Sequence, residues 1–588
     1  MPMFRPLRDR PGRGPLSGPM RALAAGLLCS VVAGCASPPP AAPRPRPAPP
    51  VAPAGGSPAT LPPVVAATPG SPPGAATNAA TAASAPDVAA LAARFPDPAV
   101  RYPLPALVDG RSGFSSQAEL QSLLRALAVE PAAGATRIRL LAPGLSQSGQ
   151  PIEALLLSRA ADLSAVALRA SGRPTVLLIG QQHGDEPAGA EALLVLARQI
   201  AQGPLAPLLD RLNVIVLPRA NPDGAQAGRR ATASGLDANR DHLQLRTPEA
   251  QAIAALWRDY QPAVVVDAHE YPPIEPYRER FGAVARADVL LQYATTANVH
   301  EFVTRASHEW FRSSLLDSFA REGLTVDWYH TLAAAPGDRR VAMGGPRPDT
   351  GRNAAGLRHA VSLLIETRGV GLGRAHLARR VHAQVVAATS VLNTAAVRAD
   401  DLVRLRRFVE SETTTLACSG EVVVEAAPTA SEYVLHLLDP ATGADKAIGV
   451  AWDSSLQLQP LKTRPRPCGY WLAAGEREAA LRLRGLGLAV QRIEATGVVR
   501  GETYRETSRS AVADTPGAVL PQVETVPALL DVTPGSWYVP LDQPLANLAV
   551  AALEPDTPSS YVANGLVSGV TAVSRVLARP GFRTSPLP

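Results

Sequence analysis

From about residue 95 the chain alternates short, continuous apolar runs with amphipathic stretches. Gln117–Val129 places apolar residues at helical spacing, and Ile152–Leu157 reads as a strand. Pro174–Gly180 (PTVLLIG) and Leu212–Leu217 (LNVIVL) are apolar throughout and of strand length, as are Pro262–Asp267 (PAVVVD) and Ala360–Ile365 (AVSLLI). Ala188–Gln202 and Glu249–Tyr260 read as helices between them. Strands buried on both faces and alternating with helices predict an α/β fold: a mixed, mainly parallel sheet flanked by helices. From about residue 413 the runs shorten, with Glu421–Glu425, Tyr433–Leu438 and Ala479–Arg484 read as strands punctuated by Gly and Pro. This predicts a C-terminal β-rich accessory domain.

Composition changes the picture at the N-terminus. Of 58 prolines in 588 residues, 16 fall within positions 36–90, mixed with Ala, Gly, Ser and Thr. Such a segment has little apolar surface to bury and reads as an extended tether. Before it, Arg21 precedes the short apolar run 22–32, which ends in Val32-Ala33-Gly34-Cys35. That ending resembles the lipobox of bacterial lipoproteins, in which the Cys is lipidated and becomes residue one. Ala36 fits outer-membrane sorting in a Gram-negative envelope, facing the periplasm, and Met20 is an alternative start. The expected organisation is a signal peptide (1–34), a disordered tether (35–94), a catalytic domain (95–412) and the accessory domain (413–588). The formal charge of +6 falls to about +2 once the Arg-rich residues 1–34 are set aside, so no nucleic-acid partner is expected. Cys418 and Cys468 remain beyond the tether as candidates for a disulfide, although spacing leaves open whether their Cα atoms are close enough.

The polar residues of chemical interest follow the strands. His183 and Glu186 come after the first of the four, Asn221-Pro222-Asp223-Gly224 after the second, His269 after the third and Glu366 after the fourth. Open α/β sheets bind ligands outside the carboxyl ends of their strands. His183-x-x-Glu186 with His269 makes a His₂Glu set, one of those that hold catalytic zinc through three protein ligands.

These residues resemble the zinc carboxypeptidase family, of the carboxypeptidase A type, over roughly residues 115–400. The likeness rests on Gly149 in SQSGQPI, His183-x-x-Glu186, NPDG at 221–224, Arg230, GLDANRDH at 235–242, His269 and LLIETRG at 363–369. It implies one zinc ion on His183, Glu186 and His269, with Asp237 orienting a ligand imidazole. It further implies Glu366 as general base, Arg230 (with Arg229 as neighbouring competitor) stabilising the oxyanion, and Asn239-Arg240 holding the substrate's terminal carboxylate. Glu270, next to His269, ranks behind Glu366 because neighbours on a strand point to opposite faces. The sequence departs from the family in having Glu270 after the third ligand and no Tyr at the usual place about twenty residues before the base. Arg352 and Asn353 are expected to fill that space. The implied activity is hydrolysis of C-terminal peptide bonds by an envelope lipoprotein that meets the membrane only through its lipid, with no protein partner indicated. A deacylase of N-acyl amino acids or murein peptides, and a catalytically silent binding lipoprotein, are the alternatives.

Overall fold

A computed structural model describes residues 90–332, 338–512, 515 and 517–587. The signal stretch, Cys35 and most of the Pro-rich segment lie outside these. Residues Ala80–Pro588 form one compact unit.

The central sheet contains Arg137–Leu145 (β1), Pro151–Ser158 (β2), Thr175–Gly180 (β3), Asn213–Leu217 (β4), Val264–Tyr271 (β5), Val289–Tyr293 (β6), Val326–Trp328 (β7) and Val361–Arg368 (β8). Their order is β1-β2-β4-β3-β5-β8-β6-β7. The middle of the sheet, β4-β3-β5-β8, is parallel, whereas β1-β2, β2-β4 and β8-β6 are antiparallel. The helices that position the site include Gln117–Val129 (α1), Pro187–Gln202 (α2), Pro248–Tyr260 (α3), Gly351–Gly356 (α4) and Leu377–Val397 (α5). Helix α1 begins at a capping box, in which Ser116 accepts from the Glu119 N–H and the Glu119 carboxylate accepts from the Ser116 N–H. It buries Leu120, Leu124 and Leu127, one stripe of a 3.6-residue period.

Strand alternation divides the core. Val176, Leu178, Val214, Val216, Val264, Val266, Leu363 and Ile365 pack with α1, α2 and α5. Leu177, Ile179, Ile215, Leu217 and Val265 pack with α3 and with Ala354 and Ala355 of α4. By the same parity Asp267, His269 and Glu366 belong to the second face and Glu270 to the first. There Glu270 accepts from Arg380 of α5 at 2.7 and 2.9 Å, both side chains fully buried, and from the Ala188 N–H at 3.0 Å.

Three expectations change. The strands carrying His269 and Glu366 run past the first polar residue, to Tyr271 and Arg368, because the backbone ladder between them continues whatever the side chains are. Ala479–Arg484 is not a strand but lies within the helix Arg477–Gly485. Its Leu-Arg alternation imitates a strand, but Ala479, Ala480 and Leu483 are the residues buried, and Arg482 pairs with Glu478 one turn earlier. Residues 90–94 belong to the folded body rather than to a disordered tether. Leu91 packs against a cluster of Phe95, Val284 and Leu438, and Arg94 pairs with Asp445 at 2.9 Å.

After residue 413 the structure is β-rich. Glu421–Glu425 and Tyr433–Leu438 are parts of one long strand, Glu421–Leu438, which passes Pro428 at a register shift and pairs with Asp445–Pro465. This hairpin takes Val284–Ala285 along one edge and Val341–Ala342 along the other, so its sheet includes segments from before residue 413. A further seven-stranded sheet completes the region. Glu554 and Asp556 lie buried in it against Arg464 and Arg575. Cys418 and Cys468 are joined as a disulfide.

The Glu270–Arg380 pair generates a stability prediction. Arg380→Met strands a carboxylate in the interior and should lower unfolding free energy by about 3–5 kcal/mol in urea titrations. A loss below about 1 kcal/mol would mean that Glu270 does not depend on this partner.

Candidate metal centre

His183 and Glu186, the first candidate ligands, sit on a loop with little freedom. After β3 the backbone turns through a left-handed Gln181, whose amide donates to the Gly184 carbonyl and accepts from Arg219. Gly184 lies so close to Gly224 that a Cβ there would stand 1.9 Å from the Gly224 carbonyl carbon. Only glycine lets the His183–Glu186 loop press against the NPDG turn. Asn221 holds the same junction by donating to the Gln182 carbonyl and accepting from the Gly224 N–H. Asp223 accepts from Ser146 and from the Ser148 N–H, which joins the SQSGQPI turn to NPDG. Pro187 then opens α2 and leaves Glu186 at the helix N-cap.

His183, Glu186 and His269 are buried, and their donor atoms lie within 4.8 Å of one another. Glu186 spans the two imidazoles, with Oε1 2.7 Å from His183 Nδ1 and Oε2 2.7 Å from His269 Nδ1. The two Nδ1 atoms are 3.1 Å apart. Each ring is tied at its other nitrogen. His183 Nε2 lies 3.0 Å from Asp237 Oδ1, and His269 Nε2 lies 2.9 Å from Asp267 Oδ1. A carboxylate on Nε2 fixes the tautomer and leaves Nδ1 to face a cation. Two imidazole nitrogens and a carboxylate, turned inward and held from behind, form a donor set that fits zinc.

The electrostatics agree. Burial opposes charge on Glu186, but the flanking imidazoles outweigh it and hold the carboxyl well below the usual range. Asp237 is likewise held low, against its burial, by His183, Arg230 and Arg240. His269 is shifted well above its ordinary value because Asp267 and Glu186 overcome the cost of burial. Glu366 goes the other way: burial pushes it up to about 7, with Glu186 adding to the shift and His269 opposing it. Glu366 is directly opposite His269 in the β5–β8 register and 7% exposed.

The remaining expected residues gather on the same face. Arg230 binds Asp237 through Nε and Nη2 at 3.1 and 2.9 Å and brings Nη1 within 3.1 Å of His183 Nδ1. Arg229 turns instead to the Thr232 and Ala233 carbonyls. Asn239 accepts from the Gly351 N–H at 2.6 Å, and its Nδ2 lies 3.1 Å from His269 Nε2. Arg240 is exposed and donates to the Asn239 carbonyl. Asn353 does not occupy the space expected of it. Its amide is consumed by the Gly345 and Arg347 carbonyls and the Thr295 N–H.

Four participants escaped the sequence reading. Asp267 had a signal, since it stands two residues before His269 and must share its face. Gln182 donates to Asp267 Oδ1 at 2.6 Å and lies 2.7 Å from His242, which burial lowers to about 4 and keeps neutral. Nothing in their spacing marks that pair. Tyr329 lies close enough to Glu366, Arg352, Arg240 and Arg230 to sense their charges. It sits farther before Glu366 than the twenty residues searched.

The model of the zinc carboxypeptidase family matches residues 130–314. A probable carboxypeptidase 2 of Trichophyton verrucosum (strain HKI 0517) is 30% identical over 423 residues, covering 70% of this chain and 80% of that relative. Carboxypeptidase 2 of Trichophyton rubrum is 29% identical over 433 residues, covering 72% of this chain and 79% of the relative. Among solved structures, a metallo-carboxypeptidase from Pseudomonas aeruginosa is 22% identical and covers 49% of this chain and 70% of that one, at a TM-score of 0.36, a likeness too small to carry argument. With a His/Glu/His donor set present and four-fifths of a relative matched in sequence, the chain belongs to the zinc carboxypeptidase family and is a metallopeptidase.

Proposed function

We propose that the protein removes the C-terminal residue of peptides in the cell envelope, using one zinc ion held by His183, Glu186 and His269. The observation that carries this reading is the inward turn of both Nδ1 atoms, each imidazole anchored by its own carboxylate, on the face where Glu366 stands. When bound, the ion supplies Lewis-acid polarisation of the scissile carbonyl and of a water molecule. The rest falls to the chain. Glu366 makes no side-chain hydrogen bond among the described residues, so its carboxylate is free to take a proton from the attacking water and deliver it to the leaving amine. Arg230, immobilised on Asp237, presents Nη1 where the carbonyl oxygen gains negative charge. Asn239 and the exposed fork of Arg240 receive the terminal carboxylate.

An envelope location is supported by the lipobox-like ending at Cys35 and by the Cys418–Cys468 disulfide, which suits an oxidising compartment. In this reading lipid on Cys35 anchors the protein to the outer membrane, facing the periplasm. No helix among the described residues is long and apolar enough to cross a membrane.

The metal assignment separates two kinds of variant. His183→Ala or His269→Ala should lose zinc and activity together. Glu366→Gln should keep its zinc, measured by elemental analysis, while turnover falls about 10²–10⁴-fold. Full zinc occupancy in both histidine variants would remove the assignment.

Exopeptidase action is tested with peptide pairs that end in a free carboxylate or an amide. The free acids should be cut far faster, and Arg240→Ala should slow them roughly tenfold or more while changing the amides little. Equal cleavage of both by the unmutated protein would replace this reading with an endopeptidase or amidase.

Cys35→Ser should release an active, soluble protein from the membrane fraction. Retention of that variant in washed membranes would show that another segment holds it there.

A further inference from the structure

One cation on the reacting face has no part in the scheme above. Arg352, in the first turn of α4, is 5% exposed. Its Nη2 donates to the Gly345 carbonyl at 2.9 Å, its Nε has no partner, and no carboxylate among the described residues forms an ion pair with it. Arg380, Arg464 and Arg575 are comparably buried and each holds a carboxylate, whereas Arg219, Arg358, Arg368 and Arg466 share with Arg352 the lack of one; among these, Arg352 is the residue that follows Gly351, whose N–H binds Asn239. A buried guanidinium without a counter-charge is costly, because the interior does not replace the water that it loses.

Its position shows what could reach it. The guanidinium stands 5.5 Å from the ring centre of Tyr329. Gly344 makes room for both groups, since a Cβ there would lie 2.8 Å from Arg352 Nη2 and 2.9 Å from the Tyr329 ring. The preceding residue, Gly351, is pressed against Asp267 and Asn239, so the start of α4 is fixed on the groups behind the metal ligands. Burial lowers the Arg352 guanidinium from its ordinary value, while the charges of Tyr329 and Glu366 oppose that shift. Through Gly351 it stands next to Asn239, one of the residues assigned to the terminal carboxylate, and beside Tyr329.

We propose that Arg352 receives the side-chain carboxylate of a C-terminal Asp or Glu, so that the protein prefers peptides ending in an acidic residue. This rests on the carboxypeptidase reading above. With the main-chain carboxylate on Asn239 and Arg240, the last side chain is the remaining part of the substrate able to supply an anion. A neutral side chain leaves the guanidinium unpaired, and a basic one meets two like charges. A planar, five-donor fork suits a carboxylate better than an ammonium would.

The test uses the metal-loaded protein and N-acylated peptides that differ only in their last residue: Glu, Gln, Leu or Lys, with the Leu peptide also as its amide. The Glu peptide should exceed its near-isosteric Gln partner in kcat/KM by roughly 10–100-fold, with Lys the poorest. Arg352→Gln should bring the Glu/Gln ratio to within about threefold of one, mainly through a higher KM for the Glu peptide, and Arg352→Lys should retain part of the ratio. Equal rates for Glu and Gln in the unmutated protein overturn the proposal, whether or not a variant folds. If a metal-loaded Arg352→Gln protein loses Glu, Gln and Leu peptides in equal proportion, Arg352 binds the main-chain carboxylate and the proposal is also overturned. If Leu amide is cut as fast as Leu acid, the carboxypeptidase reading fails first, and the Glu/Gln comparison still reports on Arg352.

Discussion

The centre depends on the register of two parallel strands. His269 and Glu366 are opposite one another across β5 and β8, and parity sends both side chains, with Asp267, to the face covered by α4. A slip of one residue would bring Thr367 opposite His269 and turn Glu366 toward the face where Glu270 meets Arg380. Two glutamates on neighbouring strands thus have unrelated roles, decided by which side of the sheet they leave. Glu270 is neutralised and locked, whereas Glu366 is buried without a partner.

That contrast extends to the carboxylates of the site itself. Glu186 and Asp237 are buried among imidazoles and guanidinium groups that keep them ionised. Glu366 rises to about 7, because its burial outweighs the opposing charges of His269, His183 and Arg230. Environments that push neighbouring carboxyl groups apart in acidity let one serve as fixed charge and another as proton carrier. The histidines are arranged with equal economy. Asp237 and Asp267 approach from separate elements, one from the GLDANRDH turn and the other from the same strand as its histidine, and each leaves a single nitrogen facing inward. Gln182 and His242 brace Asp267 in turn.

How much of this was legible in the sequence depended on distance along the chain. Five of the eight central strands, β2, β3, β4, β5 and β8, were visible as apolar runs, whereas β1, β6 and β7 were not read, and the chemistry followed the parallel runs because crossovers in an α/β sheet return every parallel strand the same way up. His183 with Glu186, and Asp237 with Asn239, are local signals fixed by short turns. The strand ends were invisible, because an apolar criterion stops at the first polar residue, whereas the backbone ladder continues whatever the side chains are. The helix Arg477–Gly485 was misread because Leu-Arg alternation satisfies a strand template while Ala, Leu and Arg all favour helix. Tyr329 was missed for another reason: its place is set by loops whose length no periodicity encodes.

The long hairpin Glu421–Pro465 has a consequence for the order of assembly. Val341–Ala342 has Trp452–Asp453 as its parallel partner, the Trp452 ring stands 5.7 Å from that of His330, and the Tyr433 hydroxyl bonds to Asp327. The wall that carries Tyr329 is thus completed by residues made more than a hundred positions later. His183, Glu186, His269 and Glu366 all precede the hairpin, so in a chain delivered N-terminus first they arrive before the segment that closes that wall. The side of the cleft that carries Tyr329 is therefore finished only when the hairpin folds back against strands made much earlier.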